Sequence, residues 1–277
     1  MDSSVSTTSL LIAREPFWKM PRLRRWFQKV IFHLGGIGMM TLQIAREARR
    51  KWETGEILRQ MDALGVQSIS ITNLTALFTG MVLALQTAYA LAQFGGKLFV
   101  GRVVVLSVCR ELGPVLTALM VAARCGAGIT AELGTMAVTE QVDALRALGA
   151  SPVRKLVLPR VVAITVMLPV LTMLTDFLGM VGGLFISVFE LKIGASFYLS
   201  TVMQTLRYND ILHGLAKTPF FGLEIALIGC YNGLNATGGA DGVGRATTIA
   251  VVLASITVLV TDFFLTKIFL TLPVGLN

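Results

Sequence analysis

From residue 63 onward the chain is patterned in long apolar blocks rather than in strict alternation or a one-sided helical stripe. Residues 63–96 contain no charged side chain, which exceeds the ~20 residues an α-helix needs to cross a bilayer. Further apolar blocks follow, and they place five membrane spans at about 66–92, 98–125, 160–189, 216–235 and 247–271. Gly95-Gly96-Lys97 reads as a tight turn after the first span, and Pro169 as a kink within the third. Residues 126–158 are more polar, with Leu133, Met136, Val142, Leu145 and Leu148 spaced to share one helical face. Residues 190–214 are mixed, and Phe197, Tyr198 and Tyr208 suit a membrane–water interface.

Residues 1–60 differ in kind. Between Arg22 and Trp52, basic and apolar residues interleave, and Trp18, Trp26 and Trp52 all fall near this stretch. Its apolar run is too short to span, so it predicts an amphipathic helix lying on the membrane surface, broken in two at Gly35-Gly36-Ile37-Gly38. The apolar run Leu10–Ala13 is too short for a secretory leader. The expected fold is therefore an all-α integral membrane protein with two parts: an N-terminal interfacial segment over 1–60, and a membrane domain of about five spans over 61–277.

Composition sharpens this. Of 277 residues 54% are hydrophobic and 14% charged, against about 25% charged in soluble domains. A soluble enzyme, a disordered chain or a soluble nucleic-acid-binding protein is excluded on that ground. The net charge of +8 is concentrated: residues 1–59 hold eleven Lys/Arg and five Asp/Glu. Counted over the connections, sixteen Lys/Arg fall on the N-terminal side and five (Lys97, Arg102, Lys192, Arg207, Lys217) on the other. The positive-inside rule then puts the N-terminus in the cytoplasm and, with five spans, the C-terminus outside.

Little of the usual catalytic chemistry is present. Cys109, Cys125 and Cys230 are isolated in apolar runs, which excludes a disulfide framework or zinc site. Gly95-Gly96-Lys97 lacks the spacing and the following Ser/Thr of a P-loop, so any ATP must be bound by another chain. Asp210 and His213 could share a helix face, the one candidate for a membrane enzyme. More telling are Arg110 and Glu111, adjacent charges in the middle of the second span, just before Pro114. Charges inside a bilayer are costly and mark function by default. Neighbouring positions point about 100° apart on a helix, so the two cannot simply pair with each other; a transport path or an interhelix salt bridge would both account for them. Arg124, Asp176, Glu224, Asp262 and Lys267 lie nearer span ends, where snorkelling or structural pairing is expected. The polar segment between spans two and three has the form of a cytoplasmic helix that could receive force from a motor subunit.

Several of these stretches together resemble the MlaE/YrbE permease family: Arg110-Glu111-Leu112-Gly113-Pro114; AARCGAGITAELGTMAVTEQVDALRALG at 122–149; Pro152 with Leu158-Pro159-Arg160; Gly80 to Gln86; and Gly244 to Thr248 with Asp262 to Thr266. The resemblance runs over about residues 33–270. It implies the membrane subunit of an ATP-binding-cassette system moving phospholipids or related lipids between the bacterial inner membrane and the outer envelope. This subunit would be non-catalytic and bind no cofactor, ATP and magnesium being held by a partner ATPase. It would work as a homodimer with that ATPase and a hexameric ring of periplasmic MCE-domain proteins; in the proteobacterial version a STAS-domain protein binds the ATPase. By motif position, Leu83, Phe94, Arg110, Glu111 and Leu112 would line the lipid cavity. Glu132 to Leu148 would form the coupling helix that docks on the ATPase, through Glu132, Thr139, Glu140, Asp143 and Arg146. The alternative reading of the residues is a secondary transporter or channel using Arg110/Glu111 as an intramembrane ion relay.

Overall fold

The computed structural model describes residues 35–48 and 53–271. Eight helices succeed one another over these residues: α1 (35–47), α2 (Thr54–Ala92), α3 (Val100–Val138), α4 (Gln141–Ala147), α5 (Val153–Phe189), α6 (Ala195–Thr205), α7 (Tyr208–Leu234) and α8 (Gly239–Thr271). The five helices α2, α3, α5, α7 and α8 are each long and apolar enough to cross a membrane, and no strand occurs among the described residues. The helices alternate direction. The near end of the bundle gathers residues 54, 138, 153, 234 and 239, with α1 and α4; the far end gathers residues 92, 100, 189, 208 and 271, with α6.

Every spanning helix outruns its apolar block. The second span continues to Val138 rather than 125, the third starts at Val153 rather than 160, and the fourth at Tyr208 rather than 216. Hydropathy registers only the part of a helix that contacts hydrocarbon, whereas these extensions carry charges matched across helices. Glu132 on α3 pairs with the buried Arg160 on α5 at 2.7 Å, and Lys155 on α5 pairs with Glu53 at 2.7 Å.

A packed core of small and branched side chains holds α3, α5, α7 and α8 together, with Ile129, Leu133, Ile164, Leu168, Phe221 and Ile225 fully buried. About half of the apolar window is buried in α5 and α7, but only 17% in α8 and 22% in α2. The first two are therefore central and the last two peripheral. Peripheral does not mean loosely held, because α2 lies along α5 with the backbones nearly touching. A Cβ on Gly80 would sit 1.9 Å from the Gly179 carbonyl oxygen, and one on Gly182 would sit 2.2 Å from that of Leu77. This is the small-residue packing of membrane helices, which lack a hydrophobic drive between them and associate by close contact.

The near end departs from the sequence reading in two places. Glu132 to Leu148 is not one helix: α3 ends at Val138, and Glu140 turns the chain with φ +61° before α4 begins. Leu133 and Val142 are buried and Met136 and Leu145 packed on the core, but Leu148 is 82% exposed, so the expected apolar face is interrupted by that turn. α4 ends in a Schellman motif: Gly149 at φ +72° donates to the Arg146 carbonyl, and the Ala150 N–H to that of Leu145, a left-handed position that glycine occupies without strain. Of the N-terminal interfacial helix, residues 35–47 are described. Gly35, Gly36 and Gly38 are helical here rather than a break, and Met40 and Ile44 are buried against the core. The remainder of the expected 22–52 helix, and all three tryptophans, lie outside the described residues. At the far end Tyr198 does not face an interface: it is buried, with its hydroxyl donating to the Met180 carbonyl at 3.3 Å.

Gly80→Ala should therefore destabilise the protein by about 1–3 kcal/mol, since its methyl group meets backbone that cannot move aside. Gly128→Ala, where nothing lies within 4 Å, should leave the helix as stable or slightly more so. Thermal unfolding of the two variants in detergent checks this, and an undisturbed Gly80→Ala would show that the α2–α5 contact can open at little cost.

Candidate functional site

Five acidic or basic side chains on three helices converge where α3, α7 and α8 meet in the far half of the bundle. The site begins with a local irregularity in α3. A π-helical turn covers Val108–Leu112 and leads directly into Gly113-Pro114. Proline has no N–H to offer the carbonyl four residues back, which is that of Arg110. The ammonium of Lys217, from α7, donates to this oxygen at 3.1 Å.

Lys217 is the centre of the arrangement. Only 1% of the residue is exposed, and its three protons are shared among four oxygens: the Arg110 carbonyl, Glu111 Oε2 at 2.7 Å, Asp262 Oδ1 at 3.0 Å and Thr266 Oγ1 at 2.7 Å. The Thr266 hydroxyl in turn donates to Glu111 at 3.3 Å. One cation thus ties α3, α7 and α8 together. Beside it, Arg110 reaches the other way, donating through Nε at 2.8 Å and through Nη2 to Asp210 Oδ1. The second oxygen of Asp210 accepts the Arg207 N–H at 3.0 Å and closes the N-terminus of α7, as an acidic residue at the third helical position does in a capping box.

Arg110 and Glu111 therefore do not pair with each other, as their adjacency requires. Each is anchored to a buried partner while its own side chain remains about two-fifths exposed, 44% and 42% respectively. Both face an open cavity of about 310 Å³, bordered by Leu106 and Ser107 on α3, His213 and Lys217 on α7, and Thr266 and Phe269 on α8. His213 stacks on Phe269 with ring centroids 5.5 Å apart. With Asp210 engaged by Arg110 and Arg207, and His213 by Phe269, the Asp–His dyad on which a membrane enzyme would depend is not formed. Among the described residues no group of three His, Cys, Asp or Glu side chains is placed to hold a metal.

The other residues expected at the lipid site are placed apart. Leu112 lines a narrow, separate slot between α2, α3 and α5. Leu83 packs on the small cluster formed by Ala84, Ala88, Val100, Val104 and Val108 near the far end of α2. Phe94 is 83% exposed in the turn after α2. A single chain thus brings together Arg110 and Glu111 but not the other three. The residues that sequence reasoning missed are Lys217, counted there as a loop cation, and Asp262 and Asp210, treated there as structural or as an enzyme's acid. Part of their signal was present in the sequence: Lys217 and Asp262 are charges within apolar blocks, and charges in membrane helices seek partners of opposite sign. Asp176 does not lie near a span end but is buried against Gly113, Glu224 accepts from Thr261 at 2.6 Å, and Arg124 donates to Ser68 at 2.6 Å.

At the near end the expected coupling residues divide between two roles. Glu132 is committed to Arg160. Thr139, Glu140, Asp143 and Arg146 are exposed on the turn and on α4, where Asp143 and Arg146 pair at 2.7 Å. Val142 pins α4 to the core beneath them.

Comparison with known proteins places this arrangement. The family model described as permease MlaE matches residues 57–268, which takes in all five spanning helices. The chain is 43% identical over 213 residues to a "probable ABC transporter permease protein" of Rickettsia conorii, covering 77% of this chain and 82% of that one. It is 42% identical over 243 residues to a protein of the same description from Synechocystis, covering 88% and 91%. With the "intermembrane phospholipid transport system permease protein MlaE" of Haemophilus influenzae it shares 39% identity over 213 residues, covering 76% and 82%. A family model that spans the bundle, together with relatives this similar over most of both chains, makes this five-span protein a member of the MlaE permease family.

Proposed function

We propose that the chain is the membrane subunit of an ATP-driven transporter that moves phospholipids or related lipids between the bacterial inner membrane and the outer envelope. The observation that carries this reading is the Arg110/Glu111 cavity: a polar, half-open site held at membrane depth by a buried cation, in a family whose Haemophilus influenzae member is described as an intermembrane phospholipid transport permease. The ion-relay alternative is not favoured, because membership of an ABC permease family puts the energy source on a partner chain.

Two copies of the chain, a pair of ATPase subunits, an MCE-domain ring and, where present, a STAS-domain protein would complete the machine. A second copy is supported by the scatter of Leu83, Phe94 and Leu112, which one chain leaves away from the cavity that Arg110 and Glu111 face. The ATPase would dock at the near end, where α4 offers an exposed charged surface on a buried anchor, and the ring would sit over the far end. The Lys/Arg bias supports that orientation. With every Lys and Arg of the spanning helices set aside, eleven connecting cations remain on the near side, and Lys97, Lys192 and Arg207 on the other. In this scheme ATP closes the motor, the motor displaces α4 and α3, and the cavity alternates between states of higher and lower lipid affinity. The direction of transport depends on when in the cycle each state is open.

Charge reversal at the cavity tests the central claim. Glu111→Lys places a second cation beside Lys217 and should lower lipid transfer between membranes at least ~10-fold, an effect of about 1.4 kcal/mol or more, while the complex still assembles. Normal transfer by an assembled Glu111→Lys complex would assign the residue to structural pairing alone. Docking has its own test: Leu148→Asp together with Arg146→Glu should abolish co-purification of the ATPase without changing the unfolding temperature of the permease. Retention of the ATPase by that variant would move the docking surface off α4.

A further inference from the structure

The charges around the cavity do not balance, and the imbalance describes a ligand. Two cations, Arg110 and Lys217, are linked by hydrogen bonds and ion pairs to three carboxylates, Asp210, Glu111 and Asp262. Asp210 belongs to Arg110. Lys217 alone therefore faces two carboxylates, and the half-exposed one of these, Glu111, opens onto the cavity. In a medium of low dielectric an excess negative charge beside an open cavity attracts a cation far more strongly than it would in water.

Arg110 supplies the complementary half. Its Nε and Nη2 are occupied by Asp210, and among the described residues no partner engages Nη1, although the side chain is 44% exposed on the same cavity. A guanidinium with free donors is the usual partner of a phosphate oxygen. The cavity thus presents one phosphate-binding donor group and, one residue along, one carboxylate lacking its share of positive charge. The stacked His213 and Phe269 rings form part of its wall, an apolar surface that tolerates an alkylammonium.

We propose that this cavity selects lipids with a zwitterionic headgroup, a phosphate carrying a primary or quaternary amine, with the phosphate on Arg110 and the ammonium on Glu111. Lipids with an anionic headgroup satisfy Arg110 but leave the excess charge on Glu111 and Asp262 uncompensated. The inference rests on the lipid-transport reading above and adds headgroup selection to it.

The test uses the assembled complex reconstituted into vesicles of equal phosphatidylethanolamine and phosphatidylglycerol, re-extracted in detergent, with retained lipids measured by mass spectrometry. The wild type should retain the ethanolamine lipid in roughly fivefold excess, as one half-exposed ion pair allows. Glu111→Gln should bring the ratio to about one through loss of the ethanolamine lipid, and Arg110→Gln should lower both lipids together. Equal retention by the wild type overturns headgroup selection and leaves the excess charge balanced within the protein. A wild-type ratio that survives Glu111→Gln overturns the assignment to Glu111. Retention of no phospholipid at all would instead overturn the lipid-transport reading, so the two claims fail separately.

Discussion

The bundle depends on one buried ammonium. Burying a lysine in a membrane protein is expensive, and it becomes tolerable only when partners replace the lost hydration. Lys217 is almost fully enclosed and has four oxygens around three protons. Those oxygens come from α3 and α8, and the lysine from α7, so the requirement to satisfy it fixes the relative rotation of three helices at one level. Losing both carboxylates, Glu111 and Asp262, would leave the ammonium uncompensated where water cannot easily reach, and such groups cost several kcal/mol when stranded. Interfaces between membrane helices have no hydrophobic force to set their register, and here a polar contact of defined geometry sets it.

The α2–α5 pair reaches the same end by the opposite means. Its contact contains no charge; Gly80, Gly179 and Gly182 let the two backbones approach until a single methyl group would collide. α5 then carries the constraint inward, because it is half buried and packs on α7, which holds Lys217. The cavity is thus framed by two kinds of contact that tolerate little displacement. The exposed halves of Arg110 and Glu111 are positioned by what their buried partners require rather than by any ligand.

Each feature was legible in the chain to the extent that the force behind it acts locally. Span number and order were legible, because lipid demands apolar length and nothing else mimics it. Arg110 and Glu111 stood out for the same reason, as charges where charges are costly. Lys217 did not, because hydropathy places it at the edge of an apolar block, and a lysine at a span edge normally snorkels outward. Only the positions of Glu111, Asp262 and Thr266 on other helices turn it inward, and their register is not written locally. The break at Thr139-Glu140 was hidden for a similar reason. The amphipathic spacing continues through it, and Glu140 in a left-handed conformation carries no glycine to announce the turn.

The helix that joins these observations is α3. It runs from Val100 to Val138, holding Arg110 and Glu111 in one half and ending against the turn into α4. Along it lie two π-helical turns, Val108–Leu112 and Ala122–Gly126, places where a helix holds an extra residue and where small changes in winding rotate the rest of the helix. Each turn is also a site of cross-helix bonding: Lys217 takes the Arg110 carbonyl at the first, while at the second Arg124 and Cys125 reach the Ser68 hydroxyl and the Leu64 carbonyl of α2. Proximity along one rod is not coupling. A rod that is irregular only where it is bonded to its neighbours can, however, change its winding only by rearranging those bonds. The Arg124 and Cys125 contacts and the Lys217 bond thus pin α3 at the two places where its winding departs from the regular helix, one on the near side of the cavity and one at it.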